Sequence, residues 1–168
     1  KKIILYAPTF SPSLTSAPYV LSQLEELASV KEYLIIIKFH DLMAKDLIDS
    51  YKKLSKGFEN VLFIEERNII KYLLIADLMI SDTSSVVYEF LLLDKPVITF
   101  KNNSHVINWD NQLSFSGLMK RVAKNLIEDP FKEQRLKILK EYHPYTDGSS
   151  AKRMVEAVEE NIKKNGVP

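Results

Sequence analysis

The chain has 168 residues, enough for one domain with a sizeable core, and its 46% hydrophobic and 27% charged residues are an ordinary globular balance. A net charge of +1 supplies no field for nucleic acid, and the absence of cysteine excludes a disulfide framework, a thiolate zinc site and a Cys nucleophile. No apolar run reaches the roughly 20 residues that a membrane span needs. Apolar runs then alternate with amphipathic segments along the chain, the pattern of a parallel sheet with helices on both faces. The first strand is expected over 3–7, a loop rich in Ser, Thr and Pro over 10–18, and a helix over 19–30. The second strand falls at 33–39, where Leu34-Ile35-Ile36-Ile37 reads as buried on both sides. A helix over 41–54 stripes Leu42, Leu47, Ile48 and Tyr51, and the third strand is 60–64. Next come a helix over 68–75, a fourth strand over 76–80, a helix over 86–93 and a fifth strand over 96–100. Residues 101–117 read as a loop, followed by helices over 118–127 and 131–142 split at Asp129-Pro130, and a turn over 143–148. The last helix, 149–164, has Asp147, Ser149 and Ser150 as candidate caps and Met154, Val155, Val158 and Ile162 as its apolar stripe.

Five strands in β-α order predict an α/β fold, a doubly wound, mostly parallel sheet in three layers. Ligands in such sheets sit beyond the carboxyl ends of the strands, at a topological switch. Four polar loops should therefore converge on one edge: Thr9 onward, His40-Asp41, Glu65-Glu66-Arg67, and Asp82 to Ser85. Ser81-Asp82-Thr83-Ser84-Ser85 is the most informative of them. Small hydroxyl side chains at a helix start, joined to free backbone N–H groups, favour a phosphate. Plain N-capping is the competing reading, although a cap needs one such residue and not five. Asp82 would oppose a phosphate and is better placed to cap the loop or orient its turn. The Gly-rich spacing of a P-loop or a dinucleotide fingerprint is missing. His40 ends a strand and so faces the ligand edge, as a phosphate donor, a proton-transfer group or simply a capping histidine. Arg67 and Lys71 read as solvated helix charges, and no His, Asp and Glu spacing suggests a metal site.

The stretch from Ile80 to Phe100 resembles the nucleotide-diphosphate loop of the C-terminal domain of GT-B glycosyltransferases. The chain is most similar to the CDP-glycerol glycerophosphotransferases of wall teichoic acid and capsule synthesis. Lys38-Phe39-His40-Asp41 resembles that family's Lys-x-His-Pro, with Asp41 where the Pro stands, and Ala7-Pro8-Thr9-Phe10 resembles its Ala-Pro-Thr-aromatic, with Ser11 in place of the Arg that follows. Leu73-Leu74-Ile75-Ala76-Asp77 and Tyr145-Thr146-Asp147-Gly148, with a later Arg153, match two further family stretches. Gly148 is expected to supply a turn with positive φ. His105, Trp109 and Asp110 lie where the family places acceptor-side contacts, although the local match is poor.

The resemblance implies a Rossmann-like half of a GT-B fold, with 1–168 a single nucleotide-binding domain cut from the C-terminal part of a longer two-domain enzyme; the missing initiator Met agrees with that. It implies transfer of glycerol phosphate from CDP-glycerol to a polymer or lipid-linked hydroxyl, with CMP released. His40 would be catalytic. Ser84, Ser85 and His40 would hold the diphosphate, Thr9, Lys38, Asp82 and Thr83 would belong to the same donor-binding site, and Glu89, at the spacing from Pro96 seen in GT-B nucleotide sites, would hold the ribose. The scheme needs no metal and no cofactor. Its partners are the nucleotide donor and an N-terminal acceptor domain bearing its own His. The place implied is the cytoplasmic face of the bacterial membrane, reached through that missing part, and no nucleic acid is involved. The isolated chain would bind nucleotide weakly without turning over. A UDP-sugar glycosyltransferase or a UDP-GlcNAc 2-epimerase-like domain is the nearest alternative, though epimerases usually carry Ser-Gly-Gly where this chain has Thr83-Ser84-Ser85. A non-catalytic α/β partner-binding domain is an alternative of another class. A receiver module is disfavoured, since 6–13 holds no carboxylate.

Overall fold

Strand pairing is parallel throughout a computed structural model that describes residues 1–100, 109–112 and 114–166. The strands are β1 (Lys2–Tyr6), β2 (Tyr33–Lys38), β3 (Val61–Ile64), β4 (Leu78–Ser81), β5 (Val97–Phe100) and β6 (Asp110–Gln112). Their spatial order is β3-β2-β1-β4-β5-β6. The chain builds outward from β1 through β2 to β3, then returns to place β4 on the other side of β1, so the switch point lies between the carboxyl ends of β1 and β4.

Successive strand side chains point to opposite faces, and this period divides the core in two. Ile4, Tyr6, Ile35, Ile37, Leu78, Ile80, Ile98 and Phe100 pack on one face, beneath α1 (Ala17–Ala28), α2 (Lys45–Gly57) and α5 (Leu118–Ile127). Leu5, Ile36, Met79 and Val97 pack on the other, beneath α3 (Ile70–Ile75), α4 (Val86–Leu91) and α6 (Lys132–Tyr142). Helix α7 (Ser150–Asn165) follows, and none of its side chains is buried; the stripe Met154, Val155, Val158 and Ile162 is exposed. No described helix is long and apolar enough to cross a membrane.

Three boundaries differ from expectation for local reasons. Helix α1 begins at Ala17, earlier than 19, because Pro18 suits a first helical turn. Helix α2 begins at Lys45 and not 41, because Leu42 N–H is bonded to the His40 ring and Met43 N–H to the His40 carbonyl. The α3 helix begins at Ile70, whose N–H is taken by the Asn68 side chain. The larger correction is β6, a sixth strand inside the segment read as loop. Asp110-Asn111-Gln112 has no strand propensity. It is held by pairing with Ile98, Thr99 and Phe100, by Thr99 Oγ1 bonded to Asn111 Oδ1 at 2.8 Å, and by Asn125 Nδ2 donating to Asp110 Oδ2 at 2.8 Å.

Near the carboxyl terminus, Gly148 has φ +73°, and Asp147 accepts from Ser149 N–H and pairs with Arg153. The Arg135 side chain, 2% exposed, is shared between Asp129 and Asp94, both at positive φ, and anchors α6 to the turn after α4.

Candidate functional site

Four strand ends contribute to one cavity of about 170 Å³ at the switch point. Ala7 and Pro8 leave β1, Lys38, Phe39 and His40 leave β2, Arg67 and Ile69 follow β3, and Ser84, Ser85 and Glu89 follow β4. These are the four loops whose convergence the sequence predicts. The cavity is smaller than the roughly 300 Å³ at the low end of drug-sized sites, so it suits a phosphate-sized group more than a whole nucleotide. A second cavity of about 190 Å³ shares Lys38, Phe39 and His40 and extends past Asp41, Ile48, Phe63 and Glu65.

Lys38 ends β2 with 6% of its surface exposed, and its Nζ donates to the Phe39 carbonyl at 2.6 Å. Burial pushes its pKa down, opposed by the charges of Asp41 and Glu66. One carbonyl leaves two ammonium protons for an anion. His40 is exposed on the rim, with Leu42 N–H donating to its Nδ1 at 3.1 Å. The proton of the neutral ring therefore sits on Nε2, which makes His40 a donor toward a ligand. Phe10 covers the ring, with centroids 4.5 Å apart.

Ser85 occupies the N-cap position of α4, yet its hydroxyl makes no cap bond. The capping reading spends that hydroxyl on the helix; here it stays available at the cavity wall with Ser84. The α4 helix has six residues, shorter than the span expected from sequence, so anion binding rests on hydroxyls and cations more than on a helix dipole. Glu89 stands one turn beyond Ser85 on the same wall.

Thr9, Asp82 and Thr83 do not line the cavity. Asp82 is wholly buried, with its carboxylate turned to the β1–α1 loop, where it accepts from Thr9 N–H and from Ser16. Thr83 Oγ1 is buried with no hydrogen-bond partner. Ser81, from the same polar cluster, donates to the Ala7 carbonyl at 2.6 Å and ties β4 to β1.

Sequence reasoning assigned no role to Phe10 or Ser16 and read Arg67 as a solvated charge. Arg67 does reach the cavity, although Asp41 holds its Nε at 2.9 Å. Trp109 and Asp110 lie away from this edge: Trp109 is buried and donates to Thr99 Oγ1 at 2.8 Å, and Asp110 is buried against Asn125. His105 lies outside the described residues.

The chain is 26% identical to the teichoic acid glycerol-phosphate primase of Bacillus subtilis (strain 168), over 96% of this chain and 44% of that protein. It is 30% identical to the teichoic acid ribitol-phosphate polymerase TarL of Staphylococcus aureus, over 92% and 30%. The wall teichoic acid polymerase TagF superposes with a TM-score of 0.68 at 20% identity, covering 98% of this chain and 44% of that one. A TagF variant soaked with CDPG superposes at 0.67. This chain thus spans less than half the length of these relatives, and the TagF match establishes the shared fold. Residues 1–107, which include all four loops, match the model of the CDP-glycerol:poly(glycerophosphate) glycerophosphotransferases, and the chain belongs to that family.

Proposed function

We propose that this chain is the donor-nucleotide half of a transferase that moves glycerol phosphate from CDP-glycerol to a hydroxyl of a polymer or lipid-linked acceptor. The observation that carries the reading is the cavity at the switch point. It gathers Lys38 and His40 from the end of β2 with Ser84, Ser85 and Glu89 from the end of β4, and leaves the Nε2–H of His40 and both serine hydroxyls uncommitted.

On this reading the diphosphate lies in the first cavity, with the ribose at its Glu89 wall. The acceptor oxygen attacks the phosphorus that bears glycerol. A new P–O bond forms, the bond from that phosphorus to the bridging oxygen breaks, and CMP leaves with the electron pair. Lys38 and His40 Nε2–H bond to oxygens that gain charge as CMP departs, and Ser84 and Ser85 hold the same group in place. Glu89 accepts from the ribose hydroxyls. The acceptor proton goes to a base in the part of the enzyme that this chain does not span. No cofactor takes part, and contact with the membrane belongs to that other part.

Titration calorimetry with CDP-glycerol, CDP, CMP and UDP tests the reading directly. Cytidine diphosphates are expected to bind in preference to UDP, and Ser84→Ala/Ser85→Ala is expected to abolish that binding, since both hydroxyls face the diphosphate. A preference for UDP would move the assignment to a UDP-sugar enzyme of the same fold, and no binding at millimolar nucleotide would contradict a preformed donor site. In the complete enzyme His40→Ala is expected to cut turnover by about 100-fold or more. A near-normal rate would reduce His40 to a capping residue.

A further inference from the structure

We propose that Asp82 is the positioning residue of the donor site, its buried carboxylate tying both ends of the β1–α1 loop to the end of β4. The proposal rests on the nucleotide reading of the cavity and adds a residue that touches no ligand. Asp82 directly follows β4 at the switch point and is 0% exposed. Its Oδ1 accepts from Thr9 N–H at 2.8 Å, where the loop begins. Its Oδ2 accepts from Ser16 N–H at 2.8 Å and Ser16 Oγ–H at 2.9 Å, where the loop ends and α1 starts.

A second buried layer supports that anchor. Tyr6 Oη lies 2.9 Å from Ser16 Oγ, the Tyr6 ring stacks on Tyr51 with centroids 5.7 Å apart, and Tyr51 Oη donates to the Ala17 carbonyl at 2.8 Å. The loop is thus closed on one side chain with two tyrosines behind it. Its position matters for the site because Pro8 forms part of the cavity wall and Phe10, next to Thr9, lies against the ring of His40. Asp82 therefore sets one flank of the donor histidine without touching it.

The bonds are specific to a carboxylate. Thr9 and Ser16 present three donors to two oxygens, and an asparagine there has one acceptor oxygen and one NH₂. Whichever way that amide turned, a backbone N–H would face another N–H. Asp82→Asn keeps the volume and removes the closure.

The test compares hydrogen exchange over residues 9–16 with calorimetric titration of CDP and of cytidine, in the wild-type chain and in Asp82→Asn. Expected is exchange about tenfold faster or more over 9–16 with the sheet still protected. With it, the preference for CDP over cytidine should fall about tenfold, since the loop flanks the phosphate end of the site. A merely structural aspartate would lower overall protection and leave that preference intact, which would overturn the proposal. Unchanged exchange over 9–16 would overturn it as well. A wild-type chain that shows no preference for CDP defeats the donor reading itself, a result distinct from a wild-type preference that survives the substitution. Should Asp82→Asn fail to fold, Ser16→Ala, which removes one bond to the carboxylate and the partner of Tyr6, is judged by the same two readouts.

Discussion

The two ends of β4 carry an aspartate each, and the two behave oppositely. Asp77, just before the strand, accepts from Ile3 N–H at 2.7 Å and from Lys2 Nζ at 3.2 Å, with a third of its side chain in solvent. Partial burial pushes its pKa up, but the Ile3 N–H and the Lys2 ammonium outweigh that and hold the group below the usual carboxylate range. Asp82, just after the strand, has more hydrogen bonds, yet burial wins and raises its pKa. Its partners Thr9, Ser16 and Thr83 are neutral dipoles; the other end has a full charge and water. At the amino edge a carboxylate latches β4 to β1 at little electrostatic cost. At the carboxyl edge the fold tolerates an unfavourable ion, and that end is the one that bears the candidate site.

The rule that a countercharge makes a carboxylate structural is tested hardest away from both ends. Arg135 is almost wholly buried and serves Asp94 at 3.1 Å and Asp129 through both terminal nitrogens. Arg135→Ala removes a buried side chain that packs α6 and neutralises two partly exposed carboxylates at once, and is expected to cost about 3 kcal/mol in urea unfolding. A loss under about 1 kcal/mol, the range of exposed ion pairs, would break the rule. The β4 carboxylates come next. Asp82→Ala leaves three donors at the loop to find water and is expected to cost about 2 kcal/mol, with weaker nucleotide binding. Asp77→Ala exposes a strand N–H beside solvent and is expected to cost about 1 kcal/mol, with nucleotide binding unchanged. Equal effects on binding from the two would erase the distinction between the ends.

Legibility in the sequence followed the range of the interactions. Leu34-Ile35-Ile36-Ile37 and Val97-Ile98-Thr99-Phe100 announce buried parallel strands, and the polar residues after each strand announce the edge where the cavity forms. His40, Ser84 and Ser85 are legible that way, because a strand end dictates which edge a residue joins, whereas Lys38 and Glu89 are read only from the family resemblance. Contacts between distant residues stayed hidden. Ser16 looks like any loop serine until a carboxylate 66 positions away closes on it. Asp110-Asn111-Gln112 is a strand by virtue of β5 and the Asn125 side chain, and its residues carry no periodic signal. Helix α7 shows the converse: an amphipathic pattern predicts the helix well and says nothing of what its apolar stripe meets, for no α7 residue is buried here.

The smallest expected effect is also the sharpest in sign. Asp77 has its folded-state pKa below the unfolded value, so its stabilisation is complete above the unfolded value and is lost as pH falls through the folded one. Asp82 has its folded-state pKa above the unfolded value, so its contribution is present below the unfolded value and is lost as pH rises through the folded one. Urea midpoints measured from about pH 3 to about pH 7 should therefore tilt in opposite directions when each group is made non-titrating. Asp77→Asn is expected to flatten the loss of stability on the acid side. Asp82→Asn is expected to flatten a loss that sets in as pH rises past the ordinary carboxylate value. Each variant also loses hydrogen bonds, which lowers its midpoint at every pH, so the slope carries the information and the offset does not. Slopes that change in the same sense would mean that the donors from Thr9, Ser16 and Thr83 stabilise the anion more than burial penalises it, and the two ends of β4 would then be electrostatically alike.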